Sequence, residues 1–479
     1  MNQILRFLRK HFRLVTVAGA LLVSCSFFAL RNPLISLAGI EITAHLGQER
    51  GDAEAFFGIY SEQVENLIEN GSFLRNGAVL NRYPPVYPAI LYFSYSLSAA
   101  IGVDIGIVLM LAAAVFIALS ALCIGETAFL VYGRETPAIV AGLLFATHPY
   151  VLQGLTKTMS ETPFMAFFFA AVWLLVKGLV RPAERAAERG AEKEAAKAGM
   201  RAGRRAAKAG MRAVLQAALM GVLLGVAMLI RPMGLFLPIV FATAYGVFST
   251  EMPIVRRAAG AAAIVLGAVL AIAPWQAFNW RHGENILLSS DRVHSIVDGV
   301  SFNNHPGKQR IRLPADIDAA ARRLSTGGVR TRGEFFSLAL REFRDRPAAM
   351  VKLGLIKAAR SWYGVWAQEA RKERIKMGIS LLYLIAAGIG LLRLRKAVIR
   401  AGWGGRGGWS GRPARIYLAV FVLLTAYFWG MTILVVSMVR YMIPVFGLMA
   451  VVTAGVVGGG GRQDPMAVGL DAEAESNYA

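Results

Sequence analysis

Residues 104–131 read DIGIVLMLAAAVFIALSALCIGETAFLV. An almost unbroken apolar run of about 18 residues or more is long enough to cross a bilayer as a helix. Working outward, comparable runs lie at 14–30, 137–153, 162–180, 214–230, 234–249, 258–275, 377–393, 416–436 and 441–457. The chain has 479 residues, 56% of them hydrophobic, with mean hydropathy +0.50. A soluble domain of that size is far more polar. The reading is an all-α polytopic membrane protein with about 10–11 transmembrane helices.

Charge sets the expected topology. The formal net charge is +22, which in a soluble protein would suggest nucleic acid. Its placement argues against that partner. Residues 1–13 hold four basic and no acidic side chains, residues 181–213 hold ten and four, and residues 393–415 hold seven and none. These short segments flank apolar runs and supply +17 of the +22. That is the positive-inside pattern, so all three are expected on the cytoplasmic side, with anionic membrane lipids as their neighbours. Residues 181–213 form a cytoplasmic basic insert whose interleaved Arg, Lys and Glu suit a solvated helix. The tail 461–479 reads as disordered. Cys25 and Cys123 both lie in apolar runs, so no disulfide framework is present.

Residues 32–103 carry seven acidic and three basic side chains and make the first exoplasmic loop. The apolar stretch 89–101 within it is expected as a juxtamembrane helix. A full crossing there would invert the turn at Gly133 and the 181–213 insert. At the heart of the loop, residues 51–88 read GDAEAFFGIYSEQVENLIENGSFLRNGAVLNRYPPVYP. Phe56, Tyr60, Val64 and Leu67 share one helical face, with Asp52 at the N-cap position and Gly71 at the stop. A second long exoplasmic segment is expected at 277–376. Its part 347–366 is amphipathic and carries Trp362, Tyr363 and Trp366.

The exoplasmic edge gathers Asp52, Glu54, Arg82, Lys157, Glu161, Arg231 and Arg440. Ionisable residues at membrane edges are costly and mark functional sites. Cations there suit an anionic lipid phosphate. A neighbouring carboxylate can take a proton from an attacking hydroxyl.

The order of these signals resembles the GT-C superfamily of polyprenyl-phosphate-sugar-dependent glycosyltransferases, in the branch of the protein mannosyltransferases and aminoarabinose transferases. The matching pieces are Gly51-Asp52-Ala53-Glu54, Asn70-Gly71-Ser72-Phe73, Arg82-Tyr83-Pro84-Pro85-Val86-Tyr87-Pro88, Met159-Ser160-Glu161-Thr162-Pro163, Arg231-Pro232, Pro274-Trp275 and Arg440-Tyr441-Met442-Ile443-Pro444. They run through residues 1–460 as one GT-C-like domain. The resemblance implies sugar transfer to an acceptor hydroxyl with inversion, in an integral membrane protein whose site faces the exterior. Asp52, with Glu54 and Glu161, fills the catalytic acidic positions. Arg82, Tyr83, Lys157, Arg231, Arg440 and Tyr441 fill the substrate-binding ones. Ala53 separates two acids that are adjacent in many members. The implied partners are a polyprenyl-phosphate sugar and a glycan, lipid or protein acceptor. Some members use a divalent metal and others do not. Composition suggests a bacterial inner membrane. A lipid-linked glycan transporter or flippase, and a polymerase or ligase using a polyprenyl-diphosphate glycan, are the alternatives.

Overall fold

The computed structural model describes residues 11–38, 57–155, 159–195, 199–284, 288–289, 299–300, 313–326, 332–364, 370–400 and 411–457. They are almost wholly helical. In chain order the helices are α1 Phe12–Ala38, α2 Ser61–Asn70, α3 Val86–Ile101, α4 Ile105–Tyr132, α5 Glu135–Ala146, α6 Pro149–Gln153, α7 Glu161–Ala195 and α8 Gly199–Ile230. Then come α9 Leu237–Phe248, α10 Ile254–Arg281, α11 Ala315–Thr326, α12 Arg332–Asp345, α13 Pro347–Arg360, α14 Ala370–Arg400, α15 Arg412–Leu434 and α16 Ile443–Ala454. Six helical stretches are long and apolar enough to cross a membrane: Ile105–Tyr132, Glu161–Val180, Gly210–Ile230, Ile254–Arg281, Glu373–Lys396 and Arg412–Leu434. Five shorter apolar ones accompany them, eleven in all among the described residues. This is an all-α polytopic membrane protein.

One large core joins α4, α5, α7, α15 and α16, with Phe145, Phe168, Phe169 and Phe428 interlocked edge to face and Phe446 against Trp362 and Tyr383. Side chains at this density exclude voids and fix the helices in place. The α8–α10 pair is closer still. A Cβ on Gly221 would lie 2.0 Å from the Ile264 carbonyl oxygen, and one on Gly267 would lie 2.3 Å from that of Ala218. Small residues let the two backbones touch, which is how helices gain contact where solvent supplies no hydrophobic drive.

The bundle has two distinct ends. At one, Arg13 pairs with Glu126, Arg412 with Glu251, and Arg393 donates to the Val456 carbonyl. The basic segment 181–213 joins α7 to α8 at this end, and its described residues extend both helices. At the other end lie the starts of α7 and α16, the end of α8 and the loop before α3. Helix α3 begins there, beside Tyr60, and ends at Gly102, where Asp104 caps α4. Because α4 runs away from that end toward Glu126, α3 starts and stops on the same side.

Two expected helices are shaped differently. Residues 137–153 do not make one span: Pro149 sits at the first position of α6, which forces His148 into an extended conformation and breaks the helix. In the first loop, Gly58 has φ +54, so the expected single helix is interrupted and α2 has Tyr60, not Asp52, as its N-cap. Phe57, Tyr60, Val64 and Leu67 are buried, and Gly71 ends α2 in the left-handed conformation. Asp52 itself, like Glu54, Lys157, Trp366 and the tail 461–479, lies outside the described residues.

Candidate active site

The site grows from three helix boundaries. Glu161 opens α7. Arg231 sits between the end of α8 and the short turn Pro232–Gly234 that leads into α9, in an extended conformation that its following proline favours. Arg440 lies in the turn Val439–Met442 that feeds α16. Each boundary is a place where the chain leaves a span and must turn, so each can aim a side chain inward without disturbing a helix.

These three side chains meet. Arg231 Nη1 lies 2.6 Å from Glu161 Oε1, and Arg440 Nε lies 3.8 Å from the same oxygen. Tyr441 is the floor between the guanidiniums: Arg231 stands 5.1 Å and Arg440 5.0 Å from its ring centre. Arg440 Nη2 also donates to the Tyr441 hydroxyl at 3.0 Å. A planar guanidinium can stack on an aromatic face and still present its edge, which an ammonium cannot do. The Arg231 side chain is 11% exposed and that of Arg440 is 37% exposed, so an incoming anion meets Arg440 first.

Charge balance defines what the cluster accepts. Among the described residues it holds two guanidiniums and one carboxylate. Glu161, 6% exposed, is occupied by holding both cations. In so poorly hydrated a place, two adjacent guanidiniums hold an anion far more strongly than they would in water.

The first loop docks on this cluster through aromatic rings. Tyr60 lies 4.8 Å from both Tyr83 and Tyr87, ring centre to ring centre. Its hydroxyl donates to Ser160 Oγ at 3.0 Å, and Arg231 Nη1 donates to the same oxygen at 3.0 Å. Burial pushes the Tyr60 phenol up to about 12, with Arg231 pulling the other way. It is therefore a neutral donor at ordinary pH and no base. Arg82 is exposed, 5.5 Å from the ring of its neighbour Tyr83. Gln63 Nε2 donates to the Leu80 and Tyr83 carbonyls, and Asn66 Nδ2 to those of Ser72 and Leu74. A two-stranded hairpin, Leu74–Arg75 with Ala78–Val79, turns at Asn76 (φ 52) and Gly77 (φ 81). Positive φ at both positions is the signature of the tight hairpin turn that Asn-Gly favours. Phe73 packs edge-on against Trp275 of α10, at 5.5 Å.

Four of the expected residues, Glu161, Arg231, Arg440 and Tyr441, are thus brought together. Arg82 and Tyr83 lie on the adjoining loop. Asp52, Glu54 and Lys157 are outside the described residues. Sequence reasoning missed Ser160 and the role of Tyr60. The available signal was the trio Tyr60, Tyr83 and Tyr87 in an otherwise polar loop. Among the described residues, no three His, Cys, Asp or Glu side chains cluster as metal ligands.

No family model matches the sequence, and no curated protein matches it. Solved structures from Archaeoglobus fulgidus are similar. The archaeal oligosaccharyltransferase AglB, in complex with an inhibitory peptide and a dolichol-phosphate, matches over 94% of this chain and 50% of its own, at 13% identity and TM-score 0.49. An oligosaccharyltransferase tethered to an acceptor peptide with the NVT sequon matches over 96% and 57%, at 12% identity and TM-score 0.38. An apo form matches over 95% and 57%, at 14% identity and TM-score 0.35. The chain spans about half the length of the structures it matches.

Proposed function

We propose that the protein is an integral-membrane glycosyltransferase of GT-C type that takes a sugar from a polyprenyl-phosphate donor to an acceptor hydroxyl. The observation that carries this reading is the buried Arg231–Glu161–Arg440 cluster at one end of the bundle, in which two guanidiniums lie against one carboxylate. A phosphate diester joining a sugar to a lipid has one negative charge. Its lipid tail lies in the bilayer while its phosphate reaches the membrane edge, where the cluster sits.

In the reaction the acceptor oxygen attacks the anomeric carbon, and the bond from that carbon to the phosphate oxygen breaks. Polyprenyl phosphate leaves with the bonding pair, and the configuration inverts. Arg440 and Arg231, with Arg82 at the loop and Lys157, four residues before Glu161 in the sequence, take up the charge that develops on the leaving oxygen. Glu161 keeps the two buried guanidiniums side by side instead of taking the proton. Asp52, with Glu54 two residues on, is the base that receives the acceptor proton. Tyr83 and Tyr441 supply ring surface on either side. The acceptor is a glycan, lipid or protein hydroxyl. The site faces the exterior of a bacterial inner membrane, and residues 1–460 form the one catalytic domain.

The test is transfer from radiolabelled polyprenyl-phosphate sugars by purified protein in liposomes. Wild type is expected to transfer or hydrolyse the label. Asp52→Asn is expected to bind donor and do neither, and Arg440→Ala to lose about 10²–10³-fold in kcat/KM. A wild type that neither binds nor turns over any such donor ends the glycosyltransferase reading.

A further inference from the structure

Lys357 is a buried cation that the reaction above does not use. It lies on α13 and is 3% exposed. A lysine that deep normally needs a partner of opposite charge. Its polar contact is instead a backbone one: Nζ donates to the Val435 carbonyl at 3.2 Å. The neighbouring charges are engaged elsewhere. Arg360, one turn on, binds Glu373 of α14; α11 and α12 hold the pairs Arg323–Glu342 and, with α13, Lys352–Asp316. Helix α15, against which α13 packs, carries charge only at Arg412 and Arg415, near its far end. Burial alone draws Lys357 down to about 7. Both its ammonium and its amine donate to an oxygen, so the contact survives either way.

Val435 is where α15 stops, with φ −104 and ψ −99, five residues before Arg440. The same turn is gripped at other points. Gly364 accepts from the Val439 amide at 3.1 Å, and Thr432 donates to Ser361 at 2.8 Å. Gly299 lies flat against the Val435 carbonyl: a Cβ there would be 1.5 Å from that oxygen. The α13 end and the turn after it therefore cradle the approach to Arg440.

We propose that Lys357 is a positioning residue for Arg440, holding the Val435 carbonyl so that the 435–442 turn presents the guanidinium to the donor phosphate. The role of Arg440 here rests on the function proposed above; the grip on the turn does not.

Two readouts separate these. Amide hydrogen exchange across 435–442 needs no substrate. Lys357→Met, which keeps the stem and drops the donors, is expected to speed exchange there while the α13 amides stay protected. Lys357→Gln, which restores an N–H donor, is expected to slow it again. Gly299→Ala, pushing on the same carbonyl, is expected to loosen the same amides. Unchanged exchange in Lys357→Met, or equal speeding in Met and Gln variants, overturns the proposal. In the transfer assay, Lys357→Met is expected to cost about tenfold in kcat/KM in wild type and nothing further in Arg440→Ala, since coupled residues are not additive. A loss that persists in full on the Arg440→Ala background overturns it too. Failure of wild type to turn over donor removes the enzyme reading and leaves the exchange comparison standing.

Discussion

A guanidinium buried at a membrane edge depends on its counter-charge far more than one at an open surface. Glu161 carries that burden for both Arg231 and Arg440. Removing one partner of a buried ion pair costs about 3–5 kcal/mol, because the other charge is left without compensation. Glu161→Gln keeps the shape and removes the charge, so it is expected to destabilise the protein by about that much, read as a lower melting temperature in detergent. Adding Arg440→Ala to Glu161→Gln is expected to recover part of the loss, by removing one of two facing cations. A melting temperature unmoved by Glu161→Gln would show that the arginines are held by something else. These charges were legible in the sequence because an ionisable residue beside a span is conspicuous. Ser160 was not. Its importance comes from Tyr60, a hundred positions earlier, and from Arg231, seventy-one later. A contact of that range leaves no local pattern.

Elements were read well where one physical rule governed them. Long apolar runs become helices, and the described part of the 181–213 segment is helical through its Ala, Lys, Arg and Glu content. Misreadings came where a single residue overrode a period. Pro149 broke a run of uniform hydropathy, and Gly58 interrupted the helix that the spacing predicts through Tyr60, Val64 and Leu67. The hairpin at Asn76-Gly77 was present as a two-residue signal inside a loop and passed unnoticed. Helix contact shows the same sensitivity. Gly267 of α10 faces the α8 backbone, with no room for a side chain. Gly267→Leu is expected to force α8 and α10 apart and to cost more than the usual 1–3 kcal/mol of an overpacked core, since backbone and not a side-chain tip would have to move. Thermal unfolding of the purified variant measures this. The nearby Gly246, with nothing within 4 Å of its notional Cβ, is the control whose substitution by alanine should be almost silent.

At the scale of the whole molecule, charge and site separate to opposite ends. Basic residues gather around Arg13, Glu251 and Arg393, while Tyr60, Glu161, Arg231 and Arg440 converge at the other end. The proposed positive-inside orientation would put the arginine cluster outside. Replacing both native cysteines and adding Glu62→Cys is expected to give a protein labelled in intact cells by a membrane-impermeant maleimide. Glu251→Cys on the same background should label only after permeabilisation. The reverse pattern would turn the molecule over and move the proposed chemistry to the cytoplasm. The number of chain crossings was harder to read than their presence. A run such as α3 is apolar enough to cross, and only the direction of α4, which leaves from its end, shows that it does not.

The oxygen of Ser160 has a further consequence. Tyr60 from the early loop and Arg231 from the end of α8 both donate to it, which fills its two lone pairs. It is a junction between two segments far apart in the chain. On the proposed function, the segment before residue 90 can vary the surface it offers an acceptor, provided it keeps the base at Asp52 and one phenol at this junction. The arginine end need not change with it, so a lineage built this way would diversify what it modifies while keeping the lipid carrier it draws from.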